Sequence, residues 1–252
     1  MCGRFTREYS WQDVHDFLDL KFPAGLKVGD PEDLDKSWNV APTQSSLIAH
    51  RSEGSDAAEL TVRRWGLIPH WAKEASIGNR MINARAETAA EKPAFRVAFS
   101  KRRCVVPISS FFEWEKIEGQ KTKRPWRFVR ADGKIILLAG LFEPPNEHAD
   151  RGTFTILTTQ ANDFMSTIHD RMPVILEPED APSGVISTPT RTRHLSCSGP
   201  RPTGCSRVTW CRRRSTARGT TSRGWWTRWS KGRPKVGPVG SAETPAAGTR
   251  TS

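Results

Sequence analysis

RRCVVPISSFFEW, residues 102–114, and RPWRFVRADGKIILLAGLF, residues 124–142, decide the fold class. Both runs are rich in β-branched and aromatic residues and are bounded by turn residues, the composition of strands. The ADG at 131–133 predicts a hairpin turn within the second run. Outward from them, SSLIAHR (45–51), LTVRRWGLI (60–68) and GTFTILTT (152–159) read as strands on the same grounds. Helical spacing is confined to short pieces. WQDVHDFLDLKF (11–22) carries Trp11, Val14, Phe17, Leu18 and Phe22 at helical intervals. RAETAAEKPAFRVAF (85–99) and QANDFMSTIHD (160–170) read as short helices. Strands outnumber helices and do not alternate regularly with them, so the expected class is α+β or mainly β.

The 252 residues are enough to bury a sizeable core. No apolar run reaches the about 18 residues of a membrane span, and the start lacks the charged-then-apolar pattern of a secretory signal. No membrane partner is expected. Five scattered cysteines (Cys2, Cys104, Cys197, Cys205 and Cys211) suggest no disulfide framework and a reducing, cytoplasmic setting. The spacing of the last three fits no common zinc pattern, so neither metal nor cofactor is expected.

The net charge of +12 invites a nucleic-acid partner, but its distribution matters more. Residues 1–180 hold 25 Lys and Arg against 26 Asp and Glu, whereas residues 181–252 hold 14 against one, Glu243. Any basic surface on the first part is therefore a local patch on a near-neutral body. The composition divides the chain into a folded domain at 2–180 and a basic, low-complexity tail at 181–252. Rich in Arg, Ser, Thr, Gly and Pro, with Trp210, Trp225, Trp226 and Trp229, the tail reads as disordered and able to bind nucleic acid. It also reads as the product of a shifted frame. GC-rich codons for residues 185–193 and 209–221, read two nucleotides later, give an acidic loop and a strand-like run.

The chemistry centres on MCGRF, residues 1–5. Removal of Met1 would leave Cys2 with a free α-amine and a thiol on adjacent carbons. Their ordinary pKa values, about 8 and about 8.5, leave both partly deprotonated near neutrality. An amine condenses with an aldehyde to a Schiff base, and the adjacent thiol can close a five-membered thiazolidine on that imine. Three further motifs hold polar groups in apolar settings. Glu113 in SSFFEW has aromatic neighbours that favour a raised pKa and proton transfer, against a plain solvent-facing strand position. His169 in STIHDRMPVIL precedes Asp170 and an apolar strand, and equally suits a core or turn histidine. Asn83 and Arg85 alternate in MINARAET, where Asn83 can orient an amine and Arg85 can grip a phosphate. A helix cap with surface charge is the plainer reading.

In order along the chain, MCGRFT, WNVAPTQ, RWGLIPHWAK, MINARAET, CVVPISSFFEW and IHDRMPVIL resemble the SOS-response-associated peptidase (SRAP) family of abasic-site-processing proteins. The resemblance covers roughly residues 2–178. It implies a strand-rich α+β domain of open, barrel-like antiparallel sheets with short helices, and a single-stranded-DNA groove leading to Cys2. It implies Cys2 as crosslinking nucleophile, Asn83 holding the α-amine, and Glu113 and His169 transferring protons. Arg4 and Arg85 would contact phosphates and Trp71 would lie against bases, while Asn39, Pro42 and Thr158 shape the groove. The implied partner is single-stranded DNA containing abasic sites, with the replication machinery as a further partner of a monomer in the cytoplasm, nucleoid-associated in a bacterium. The family continues past HDRMP with a helix and a closing strand. This chain departs from that pattern, which predicts an open sheet edge.

Two other readings stand beside the crosslinking enzyme. One is a cysteine peptidase using Cys2 and His169, including removal of its own leader residue. The other is a non-catalytic single-strand binder, whose binding would be wholly reversible by salt.

Overall fold

The run read as one strand at 102–114 turns a corner at Ser109, and its two halves belong to different sheets. The computed structural model describes residues 2–19, 21–22, 26–28, 34–51, 57–181 and 210–214. In the first part lie β1 (Arg4–Arg7), α1 (Trp11–Asp19), β2 (Leu26–Val28), β3 (Ser37–Val40), β4 (Ser45–Arg51) and β5 (Ala58–Trp65). Then come β6 (Asn83–Arg85), α2 (Ala86–Ala89), α3 (Arg96–Lys101), β7 (Arg103–Ile108), β8 (Ser110–Glu115) and β9 (Arg124–Arg130). The remainder is β10 (Ile136–Glu143), β11 (Thr153–Gln160), α4 (Asp163–Ser166), β12 (Arg171–Pro173), β13 (Ile175–Leu176) and β14 (Trp210–Arg214). The strand-rich α+β class is as expected.

One sheet runs β14-β9-β8-β1-β3, the other β12-β11-β10-β7-β4-β5-β2. A parallel contact of β5 with β11, Arg64 with Thr153 and Trp65 with Phe154, closes β11-β10-β7-β4-β5 into a ring. Most pairs are antiparallel as expected, but β2–β5 and β6–β11 are also parallel. The turn at ADG forms, with Gly133 N–H donating to the Arg130 carbonyl, yet it joins no hairpin. It carries the chain from β9 in one sheet to β10 in the other, because β9 is already paired by β8 and β14.

Alternation along the ring strands feeds two cores. Ile48, Ile136 and Leu138 join Phe5, Trp65, Phe111, Phe128 and Phe154. Their neighbours Leu47, Ala49, Leu137 and Ala139 join Val14 and Leu18 of α1. Apolar residues on both faces explain why 136–142 reads as an unbroken run without a polar side chain. A capping box starts α1: the Ser10 N–H and hydroxyl donate to Asp13, and the Asp13 N–H donates back to Ser10 Oγ.

An open sheet edge is expected from the departing C-terminal segment; the edge of β9 is covered over Trp210–Arg214 by β14. Residues 182–209 and 215–252 lie outside the described residues, and with them most of the tail read as disordered or frame-shifted.

Candidate active site

Cys2 is separated only by Gly3 from β1, the strand held between β3 and β8. It is fully buried, and its thiol lies 4.0 Å from the Arg4 carbonyl oxygen. Burial pushes the thiol pKa up, the Glu113 carboxylate adds to the rise, and the positive amino terminus opposes it. A thiol held above its ordinary value stays protonated near neutrality.

Glu113 lies on β8, whose register pairs Phe112 with Arg4 and Phe111 with Phe5. One step along both strands brings it toward Gly3. The solvent-facing alternative for Glu113 fails: its exposure is 1%. Burial raises its pKa; the amino terminus and the Trp114 backbone pull it down, and Asp170 adds a smaller rise.

Asn83 opens β6, which lies parallel to β11 with Asn83 beside Ile156. Its Nδ2 donates to the Cys2 carbonyl at 2.9 Å. That contact fixes the amide orientation, because only the nitrogen can donate. Asn83 Oδ1 is buried and accepts no hydrogen bond among the described residues.

His169 follows α4 and is partly buried, with burial and the amino terminus pushing its pKa down and Asp170 opposing them. Two groups meet its Nδ1, the Arg171 backbone N–H at 3.0 Å and Asp170 Oδ1 at 2.7 Å. The neutral ring accepts from Arg171, whereas a ring protonated at Nδ1 donates to Asp170. The lowered pKa favours a neutral ring near neutrality, with its proton on one nitrogen only.

The other expected residues divide in two. Arg4 and Asn39 meet directly, the Arg4 Nη1 donating to Asn39 Oδ1 at 2.8 Å. Arg85 is exposed and pairs in register with Thr158. Thr158 itself is fully buried; its carbonyl accepts from Arg171 at 2.7 Å, so it anchors a guanidinium and offers no surface. Trp71 is 49% exposed on the loop between β5 and the 3-10 turn Ala75–Arg80. Pro42 and Thr43 form the centre of a turn in which Gln44 N–H donates to the Ala41 carbonyl and Thr43 has φ 75°. Pro followed by a positive φ is the type II pattern.

Trp65, which sequence reasoning passed over, ties these motifs together. Its backbone exchanges hydrogen bonds with Thr43 and Gln44, and its Nε1 donates to the Ile82 carbonyl, beside Asn83. Its ring packs on Phe5 with centroids 5.0 Å apart. Next to it, Gly66 has φ 120° and would place a Cβ 2.6 Å from the Gly78 carbonyl oxygen, so the start of the Trp71 loop touches the 3-10 turn beyond it, backbone to backbone. Trp38, 60% exposed on β3 beside Asn39, was also missed. A tryptophan inside WNVAPTQ was the available signal.

Among the described residues, no group of three or more His, Cys, Asp and Glu is placed to hold a metal, and no helix is long and apolar enough to cross a membrane.

The abasic site processing protein YoaM of Bacillus subtilis is 45% identical over 180 residues, covering 70% of this chain and 75% of the relative. The abasic site processing protein YoqW of the same organism is 42% identical over 184 residues, covering 71% and 78%. A crystal structure of a Bacteroides thetaiotaomicron protein superposes with a TM-score of 0.61 at 27% identity, over 76% of this chain and 83% of that one. The profile of the family described as SOS response associated peptidase matches residues 1–196, across every motif assembled around Cys2. The chain therefore belongs to the SOS response associated peptidase (SRAP) family.

Proposed function

We propose that this protein processes abasic sites in single-stranded DNA, crosslinking itself to the lesion through Cys2 once Met1 has been removed. The observation that carries this reading is the hydrogen bond from Asn83 Nδ2 to the Cys2 carbonyl at 2.9 Å, with the buried Glu113 on the strand that pairs with β1. The names of the relatives, abasic site processing proteins, support it.

The reaction needs an open aldehyde, a free amine and two movable protons. An abasic deoxyribose exists mainly as a closed hemiacetal. Moving the proton of its C1′ hydroxyl to the ring oxygen breaks the C1′–O4′ bond and exposes the aldehyde. A buried acid with a raised pKa and a near-neutral imidazole are suited to that transfer. The Cys2 amine adds to C1′, and loss of the former carbonyl oxygen as water leaves an imine. The Cys2 S–H then adds across C=N, sulfur to carbon and proton to nitrogen, closing the thiazolidine. The raised thiol pKa fits this order, with amine attack first and sulfur second. It disfavours a peptidase that relies on a preformed thiolate.

Asn83 Oδ1, a buried acceptor, is suited to holding the amine N–H in position. Arg4, preset by Asn39, and Arg85 supply phosphate contacts, and Trp71 offers a stacking face. The product shields the lesion from strand cleavage.

The test is the intact mass of the protein after mixing with an abasic single-stranded oligonucleotide. The expected species has lost Met1 and gained the oligonucleotide less one water. An adduct undiminished by Cys2→Ala, or purely salt-reversible binding, would overturn the assignment.

A further inference from the structure

We propose that Glu87 is a positioning residue for His169, acting through Arg171. The proposal rests on the reading of His169 as a proton-transfer group and adds what holds that group in one tautomer.

The chain of contacts begins at His169 Nδ1. The Arg171 backbone N–H donates to it at 3.0 Å, which leaves the proton of the neutral ring on Nε2. That arrangement competes with the Asp170 carboxylate, 2.7 Å from the same nitrogen, which favours an Nδ1 proton. Which one prevails depends on where the Arg171 backbone sits. Its strand, β12, is held to β11 with Arg171 opposite Gln160, and its side chain adds a second hold, Nη1 and Nη2 each donating to one oxygen of Glu87 at 2.9 Å. The same Nη2 donates to the Thr158 carbonyl at 2.7 Å and approaches Thr158 Oγ1 at 3.3 Å. Thr159 Oγ1 donates to the Glu87 carboxylate at 3.3 Å. Paired, planar bonds of this kind fix orientation as well as distance.

Glu87 lies in α2, directly after the strand that carries Asn83 and Arg85, and 84 residues before Arg171. The pair therefore locks the element that holds Cys2 to the segment that holds His169. At 46% exposure the Glu87 side chain is too solvated for the pair to matter chiefly as stabilisation. Its consequence is the geometry of the imidazole. Thr158 provides a second anchor for the guanidinium, so loss of Glu87 loosens His169 without releasing it.

The experiment compares the full-length protein with Glu87→Gln and Glu87→Asp. In the free protein, 15N imidazole NMR is expected to show wild-type His169 with its proton on Nε2, a mixture of tautomers in Glu87→Gln, and the wild-type pattern regained in Glu87→Asp. In single-turnover mixing with an abasic oligonucleotide, Glu87→Gln is expected to form adduct about tenfold more slowly, a part of what a general acid–base group supplies. Glu87→Asp regains most of that rate. A Glu87→Gln protein with the wild-type tautomer overturns the proposal whatever its rate, since a slower reaction would then come from another cause. If Glu87→Gln does not fold, Arg171→Lys, which keeps the backbone N–H and loses the paired contact, replaces it; an unchanged tautomer there is equally fatal. A wild-type protein that forms no adduct sinks the crosslinking function while the NMR comparison still decides the positioning role.

Discussion

Asn83 reaches across 81 residues of chain to donate its Nδ2 to the carbonyl oxygen of Cys2 at 2.9 Å, leaving its own carbonyl oxygen buried with no hydrogen-bond partner among the described residues. Asn83→Asp keeps the size and replaces the donor with a second acceptor. Adduct formation is expected to fall by about 10–100-fold, and stability by about 1–2 kcal/mol for the lost buried bond. Single-turnover rates and denaturant midpoints measure the two effects separately. A variant that loses stability but keeps its rate would remove Asn83 from the chemistry.

Burial holds the Glu113 carboxyl above its ordinary value of 4.5, so the folded state binds this proton more tightly than the unfolded chain does. Its ionisation therefore costs no stability below about pH 4.5 and takes stability away as pH rises toward the folded value. Glu113→Gln escapes that loss. The expected result is a higher Tm than wild type at about pH 7, equal Tm values at about pH 4, and adduct formation reduced by about 100-fold or more. Equal Tm values at both pH values would contradict the burial argument.

Gly66→Ala places a methyl 2.6 Å from the Gly78 carbonyl oxygen on a backbone with φ 120°. Neither contact partner is a movable side chain. A loss of about 3 kcal/mol or more is expected from the clash and the strained backbone together, with the Trp71 loop displaced. Thermal denaturation and Trp fluorescence report on each.

Thr43 is β-branched and has φ 75° in the turn that presents Pro42. A non-glycine residue there costs about 1–2 kcal/mol, more than the about 0.5–1 kcal/mol of extra chain entropy that glycine loses on folding. Thr43→Gly should raise stability by about 0.5 kcal/mol with the fold unchanged, as read from urea midpoints.

Trp71 is half exposed and contributes little to the core. Trp71→Ala is expected to weaken single-strand binding by about 1–3 kcal/mol at nearly constant Tm. An unchanged affinity would reassign this side chain to packing.

Sequence patterns carried the local structure well where one face or one composition dominated. β4 occupies the predicted 45–51 without a shift, and α1 follows its capping box and apolar spacing. Periodicity could not show the corner at Ser109, because the bond that makes it, Ser109 N–H to the Thr6 carbonyl, joins residues more than a hundred positions apart. The residue types of the site were legible in their motifs, but its environment was not. FFEW does not disclose that Glu113 is enclosed, since burial is a property of the strands stacked over it. Likewise, nothing near Glu87 in sequence announces Arg171. Trp65 looked like an ordinary strand tryptophan, and only tertiary hydrogen bonds show it bracketing the Pro42 turn and Asn83.

The complete enclosure of Cys2 bears on the order of maturation. Once β1 is clasped between β3 and β8, access to the bond before Cys2 narrows sharply. On the proposed chemistry, trimming therefore has to precede the closure of these strands, and a molecule that folds untrimmed matures with its reactive group capped.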